Sequence, residues 1–256
     1  MIILFVAFGS CVPNASCSDK KTIIQQANGV YYSLRTQGLV DFECNVTPDW
    51  ETSVQSFTAD VAAREKILTM LKKTKFHVAV GPTGAALISH EFGQVPQSDE
   101  AAIGLRQIAE GLEQMISGFF KSWAPLMVNS PFHGETEQYQ MQEWDNGYRF
   151  TADSEKSHAI ISMNRDLVID SIEAKTPAFE GTVHPRFVSR EGRLILDGYE
   201  AEVGTGPGPH QRLSVRVQYQ RIKDLLIPQK LSLSVALPQG QTNWPMTFEE
   251  CSVEKK

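Results

Sequence analysis

Six histidines, His77, His90, His133, His158, His184 and His210, carry the most versatile chemistry in the sequence, because imidazole can ligate a metal or move a proton near neutral pH. Their spacing matches neither task. No His-Glu-x-x-His, Cys-x-x-Cys or calcium-loop pattern occurs, and those are the spacings that set ligands on one helix face or one loop. His77 and His90 flank one predicted hairpin and could face each other across it, but no third ligand accompanies them. Ser89-His90 and Ser157-His158 are chain neighbours, whereas a nucleophile and its base are brought together in space by the fold. No Gly-x-Ser-x-Gly elbow is present. The run from Gly204 to His210 is glycine-rich, yet it joins two predicted strands and lacks the Lys-Ser/Thr ending of a phosphate loop, so it reads as a hairpin tip. No catalytic residue, metal or cofactor is expected, and the chain is read as a non-enzyme.

The cysteines divide into two pairs. Cys11 and Cys17 follow a short apolar run, Ile2 to Phe8, too short to span a bilayer and of the length of a signal-peptide core. Residues 1–18 are therefore expected to be a signal peptide or lipoprotein leader. Phe8-Gly9-Ser10-Cys11 loosely resembles a lipobox, which makes Cys11 the candidate lipidation site and a membrane anchor; plain cleavage between Gly9 and Ser18 is the alternative. Cys44 and Cys251 sit in matching contexts, Asp-Phe-Glu-Cys and Phe-Glu-Glu-Cys, inside predicted strands near the two ends of the remaining chain. An oxidising compartment favours their pairing, and closing a loop of about 200 residues would stabilise by roughly 4 kcal/mol or more. Two buried free thiols are the other possibility.

A formal net charge of −6, without a Lys/Arg stripe, argues against nucleic acid as a partner. Lys72, Lys73 and Lys75 cluster, but at the end of a predicted helix, where cations suit the dipole.

These residues need a scaffold, and the hydrophobic pattern describes one. Ile23, Ile24, Ala27, Val30, Tyr31 and Leu34 recur at helical spacing before Gly38, and Leu39 to Thr47 reads as a strand. A second helix is expected over Asp60 to Thr74, followed by two strands within Phe76 to His90 around Gly81-Pro82-Thr83-Gly84. The strongest helix runs from Asp99 to Ala124, with Ser98 as N-cap and Pro125 as its stop. Leu105, Ile108, Leu112, Met115, Ile116, Phe119 and Trp123 form its apolar arc. Gly104, Gly111 and Gly118 line an edge of that arc. Each costs about 1 kcal/mol relative to Ala, so something is expected to approach the helix backbone there: a sheet surface, or a lipid chain lying along the groove.

From Gln138 onward the period switches to two. Turn residues such as Asp145-Asn146-Gly147 separate predicted strands, and Leu213, Val215, Val217 and Tyr219 alternate with polar neighbours. Such alternation belongs to an antiparallel sheet with one covered face. No break in composition divides residues 19–256, so a single domain is expected. The fold class is α+β: a long antiparallel meander sheet curved into a half-barrel, its apolar concave face covered by an N-terminal helix and inserted helices.

Two stretches, Tyr219 to Leu231 with its Leu-Leu-Ile-Pro turn region and Met163-Asn164-Arg165-Asp166-Leu167-Val168-Ile169, together with this order of elements, resemble the LolA-like superfamily, the unclosed β-barrels of periplasmic lipoprotein carriers. No counterpart is found of the arginine with which the lipoprotein carrier latches its lid. The resemblance implies an exported bacterial protein of the periplasm or envelope that shelters a lipid acyl chain or a lipidated protein between sheet and helices. Met115, Phe119, Phe120, Trp123 and Met127 would then line the ligand-binding pocket. A structural or assembly protein whose core is filled by its own helices is the alternative.

Overall fold

The computed structural model describes residues 19–54, 61–92, 100–132, 136–155, 157–177, 179–204, 211–237 and 240–256. The expected leader and Cys11 lie outside them. The protein is α+β, as its alternation demands. Strands β1 (Leu39–Pro48), β2 (Lys75–Val80), β3 (Ala86–Glu91), β4 (Tyr139–Trp144), β5 (Gly147–Asp153) and β6 (His158–Asn164) are joined in one sheet by β7 (Ile169–Thr176), β8 (Phe179–Arg190), β9 (Arg193–Gly204), β10 (Gln211–Ile222), β11 (Leu225–Leu237) and β12 (Gly240–Lys255). The order is β3-β2-β1-β12-β11-β10-β9-β8-β7-β6-β5-β4, antiparallel throughout and not closed into a barrel.

Among the described residues four α-helices accompany it: α1 (Lys20–Val30), α2 (Trp50–Val54), α3 (Val61–Leu71) and α4 (Glu100–Met127). The five-residue α2 has no counterpart in the sequence pattern, being too short to show a period. It starts because the Asp49 carboxylate accepts from the Thr52 backbone N–H at 3.1 Å, the usual N-cap bond. The helix α4 runs through Pro125 to Met127, past its expected stop. Pro125 withholds its N–H and crowds the carbonyl one turn back, yet the chain completes one more turn, closed by bonds from Val128 and Asn129 to the Ala124 carbonyl. Leu167 lies in the turn before β7 at φ 65°. The Asn164 side chain holds that turn by accepting from the Asp166 and Val168 N–H groups.

Two hydrophobic clusters occupy the concave face. The larger packs α4 against β1, β2, β3 and β9 to β12; the smaller packs Ile23, Ile24 and Ala27 of α1 against Tyr139, Tyr148, Phe150, Ile161, Met163 and Ile169 of β4 to β7. The segment after α1 threads between them. Tyr32 N–H donates to the Leu194 carbonyl, and Leu34 and Arg35 N–H groups donate to Met127 and Val128. The Cys44–Cys251 disulfide is formed and joins β1 to β12, closing a sequence separation of 207 residues.

Candidate functional site

At about 100° per residue, α4 presents three distinct flanks. One faces β3: Glu113 meets His90 Nδ1 at 2.7 Å, and Gly84, at φ 83°, brings its backbone so close that a Cβ there would lie 2.5 Å from the Ala124 Cβ. The second points into the core. The third carries Gly104, Ile108, Gly111, Met115, Gly118 and Ser122, spaced by alternate steps of four and three.

Four of the five residues expected to line a pocket lie on the core flank. Phe119 and Phe120 are 1% exposed, and Trp123 and Met127 are 0% exposed. A void able to hold water or an acyl chain would leave accessible area on its walls, so the space around these four is filled. Phe120 meets Phe42 and Phe248 with ring centroids 6.2 and 6.0 Å apart. Trp123 Nε1 donates to Tyr219 Oη at 3.0 Å, and Tyr219 Oη in turn donates to the Leu196 carbonyl. Met127 Sδ accepts from the Leu196 N–H. Met115 alone of the five stands at the margin of this core.

Met115 belongs to the third flank, whose far end is tied to the sheet where Ser122 Oγ and Tyr199 Oη of β9 share a hydrogen bond of 2.5 Å. Burial raises the Tyr199 hydroxyl to about 12, and that of Tyr219 further still, so both remain neutral hydrogen-bonding groups. Toward its N-terminus this flank is open. A Cβ built on Gly104, Gly111 or Gly118 would meet nothing within 4 Å. The close approach expected from the glycine spacing is therefore absent among the described residues.

The same face of the sheet also carries an apolar, part-exposed row. Ile172, Val183, Leu213 and Val235 share one cross-strand row through Ala201, as the registers Ile172↔Val183, Val183↔Ala201, Leu213↔Ala201 and Leu213↔Val235 show. All four, with Val203, border the larger cluster, and Ile172 and Phe187 border the smaller one as well. Ile172 of this row, with Phe187, thus stands at the seam between the cover supplied by α4 and that supplied by α1. Tyr31 stacks edge-on against Phe187 at 5.0 Å.

No family model, curated protein or solved structure matches the chain.

The histidine pair does not form. Phe76 is opposite His90 and His77 opposite Ser89, so the two rings fall on opposite faces of the hairpin. His77 lies 3.8 Å from Glu43, and His90 packs between Phe76 and Phe92. His133 and His210 lie outside the described residues. Among those described, no group of three His, Cys, Asp or Glu could hold a metal, and no helix is long and apolar enough to cross a membrane. The glycine repeat was legible, but the close approach read from it is not found among the described residues.

Proposed function

We propose that the protein binds an extended apolar chain, a lipid acyl chain or the lipid of a modified protein, in the seam between the glycine flank of α4 and the β7–β10 part of the concave sheet. Two observations support this: the open space over Gly104, Gly111 and Gly118, and a part-exposed apolar row on the covered face of the sheet. Glycines let a slender guest lie against the helix backbone, and an apolar wall makes its burial favourable at about 25 cal/mol per Å2. The role is one of binding, as in LolA-like carriers, and not catalysis. The disulfide fits an exported protein in an oxidising compartment, and lipidation at Cys11 would hold it at the envelope.

Titration with a fluorescent polyunsaturated fatty acid tests the reading. Saturable binding displaced by palmitate is expected, and Gly111→Leu and Gly118→Leu should each weaken it by about tenfold or more, the equivalent of 1.4 kcal/mol, without lowering the unfolding midpoint. Absence of saturable binding, or equal binding by the variants, would overturn the proposal. A filled-core structural or assembly role would then stand, for which the packing of Phe119, Phe120, Trp123 and Met127 already speaks.

A further inference from the structure

Two asparagines begin the tripeptide Asn-x-Ser/Thr that accepts N-linked carbohydrate in exported proteins: Asn14-Ala15-Ser16 and Asn45-Val46-Thr47. The first falls in the expected leader, outside the described residues. Asn28, Asn129, Asn146, Asn164 and Asn243 have Val30, Pro131, Tyr148, Asp166 and Pro245 at the deciding position. Such a tripeptide also arises by chance, so the surroundings of Asn45 decide whether it can serve.

The fold sets both side chains of the acceptor on the same open side of β1. Successive strand residues alternate between faces; Phe42, Cys44 and Val46 are buried, whereas Asn45 and Thr47 are exposed. Both line a concavity of about 470 Å3 whose wall also includes Lys75 and Glu249. A first sugar ring therefore has room beside the strand and polar groups to meet its hydroxyls. Asn45 Nδ2 donates to Glu250 Oε2 at 2.5 Å, and Thr47 Oγ1 donates to Glu249 Oε2 at 2.9 Å. A carboxamide nitrogen carries two hydrogens. One serves Glu250, and the other can be exchanged for carbon without loss of that bond.

The finished strand, by contrast, is closed to an enzyme. Asn45 stands opposite Glu249 of β12 and His77 of β2, so the β1 backbone is engaged on both sides and cannot enter a transferase groove. Transfer must come before that pairing. The neighbouring Cys44 bonds to Cys251 over a sequence separation of 207 residues, and β1 meets β12 by closing the same long loop, a step slowed by its entropy. The acceptor thus waits outside the sheet while later strands pair over short loops. The disulfide also requires an oxidising, exported compartment, which is where N-linked carbohydrate is added.

We propose that Asn45 is a site of N-glycosylation, modified on the exported chain before β1 closes on β12. The donor is an oligosaccharide carried on a polyprenyl diphosphate, supplied with its transferase by the export compartment. Asn45 Nδ2 forms a bond to the anomeric carbon of the sugar, and the bond from that carbon to the diphosphate oxygen breaks. One amide proton passes to a base of the transferase, and polyprenyl diphosphate leaves. The glycan then projects from the outer face of the sheet, opposite the helices, and leaves the seam uncovered.

The test is secretion of the full chain from cells whose export compartment contains an oligosaccharyltransferase, followed by intact mass and peptide mapping with and without peptide N-glycosidase. A carbohydrate adduct on Asn45 is expected. Asn45→Gln, which keeps an amide for Glu250, and Thr47→Ala should each abolish it, and Thr47→Ser should retain it. The Cys44→Ala/Cys251→Ala variant, in which β1 stays open longer, should raise the occupied fraction. No carbohydrate on Asn45 of the parent, or carbohydrate retained by Thr47→Ala, would overturn the proposal. An unchanged occupied fraction in the cysteine variant would overturn its timing. The adduct is read by mass, so these outcomes are independent of fatty-acid binding.

Discussion

Replacing Gly84 by alanine tests how α4 is seated on the edge of the sheet. Gly84 has φ 83°, a conformation that costs an L-residue about 1–2 kcal/mol. The new methyl would also stand 2.5 Å from the Ala124 Cβ and 3.4 Å from the Val128 Cβ, and such overpacking costs about 1–3 kcal/mol. Gly84→Ala should therefore destabilise by about 2–5 kcal/mol, the sum of backbone strain and collision. The two contributions separate in a cycle with Ala124→Gly. That change costs about 1 kcal/mol in helix propensity but vacates the space the Gly84 methyl needs, so the double variant should recover about 1–3 kcal/mol of the sum of the single effects. Urea unfolding under oxidising conditions, followed by tryptophan fluorescence and far-UV circular dichroism, measures all four corners. A loss below about 1 kcal/mol for Gly84→Ala, or a coupling within about 0.5 kcal/mol of zero, would refute the close contact between β3 and α4.

Opening the Cys44–Cys251 bond by Cys44→Ala/Cys251→Ala releases a loop of 207 residues and should cost about 5 kcal/mol in the chain-entropy account, read as a lower urea midpoint. A mass gain of two hydrogens on reduction of the parent checks the bond itself. Gly111→Ala and Gly118→Ala place methyls in open space and should each raise stability by about 0.5–1 kcal/mol in the same assay; a loss would mean that the flank is covered. Burial raises Tyr31, Tyr199 and Tyr219 above their ordinary value of 10.0, Tyr199 to about 12. Below pH 10 both folded and unfolded chains hold these protons, so this contribution is flat. Above it the unfolded chain loses them first, and stability should fall as pH rises from 10 through 12. Absorbance of tyrosinate against pH, with unfolding followed in parallel, checks the coincidence of the two.

The meander was legible because its signals are local. Asp145-Asn146-Gly147 encodes its own turn, and the alternation from Leu213 to Tyr219 encodes its own covered face. The disulfide was legible because, once Cys11 and Cys17 are set aside, only one pairing remains. Pro125 misled because a rule about helix interiors was applied within one turn of a helix end. His77 and His90 misled because flanking a hairpin does not fix the face, which a shift of one residue reverses. The polar contacts between β1 and β12 had no local signal at all. Asn45 meets Glu250 and Thr47 meets Glu249 only because the fold sets β1 beside β12, and both carboxylates reach β1 only because of a bulge. Lys72 was read as a helix-end cation; its carboxylate partner, Glu51, comes from the α2 that the pattern did not show.

The pairing of β1 with β12 has a consequence for how the molecule assembles. Every other neighbouring pair in the sheet is also a neighbouring pair in the chain, so β4 to β12 can zip hairpin by hairpin over short loops. Joining β1 to β12 instead closes a loop of about 200 residues, an entropic cost of about 5 kcal/mol that must be met before any contact is gained. Formation of β1 to β3 on the finished β12, with α4 settling between β3 and β9, is therefore the slow step. Thiol trapping during refolding should find Cys44 and Cys251 still free after the β5–β11 amides have become protected from exchange.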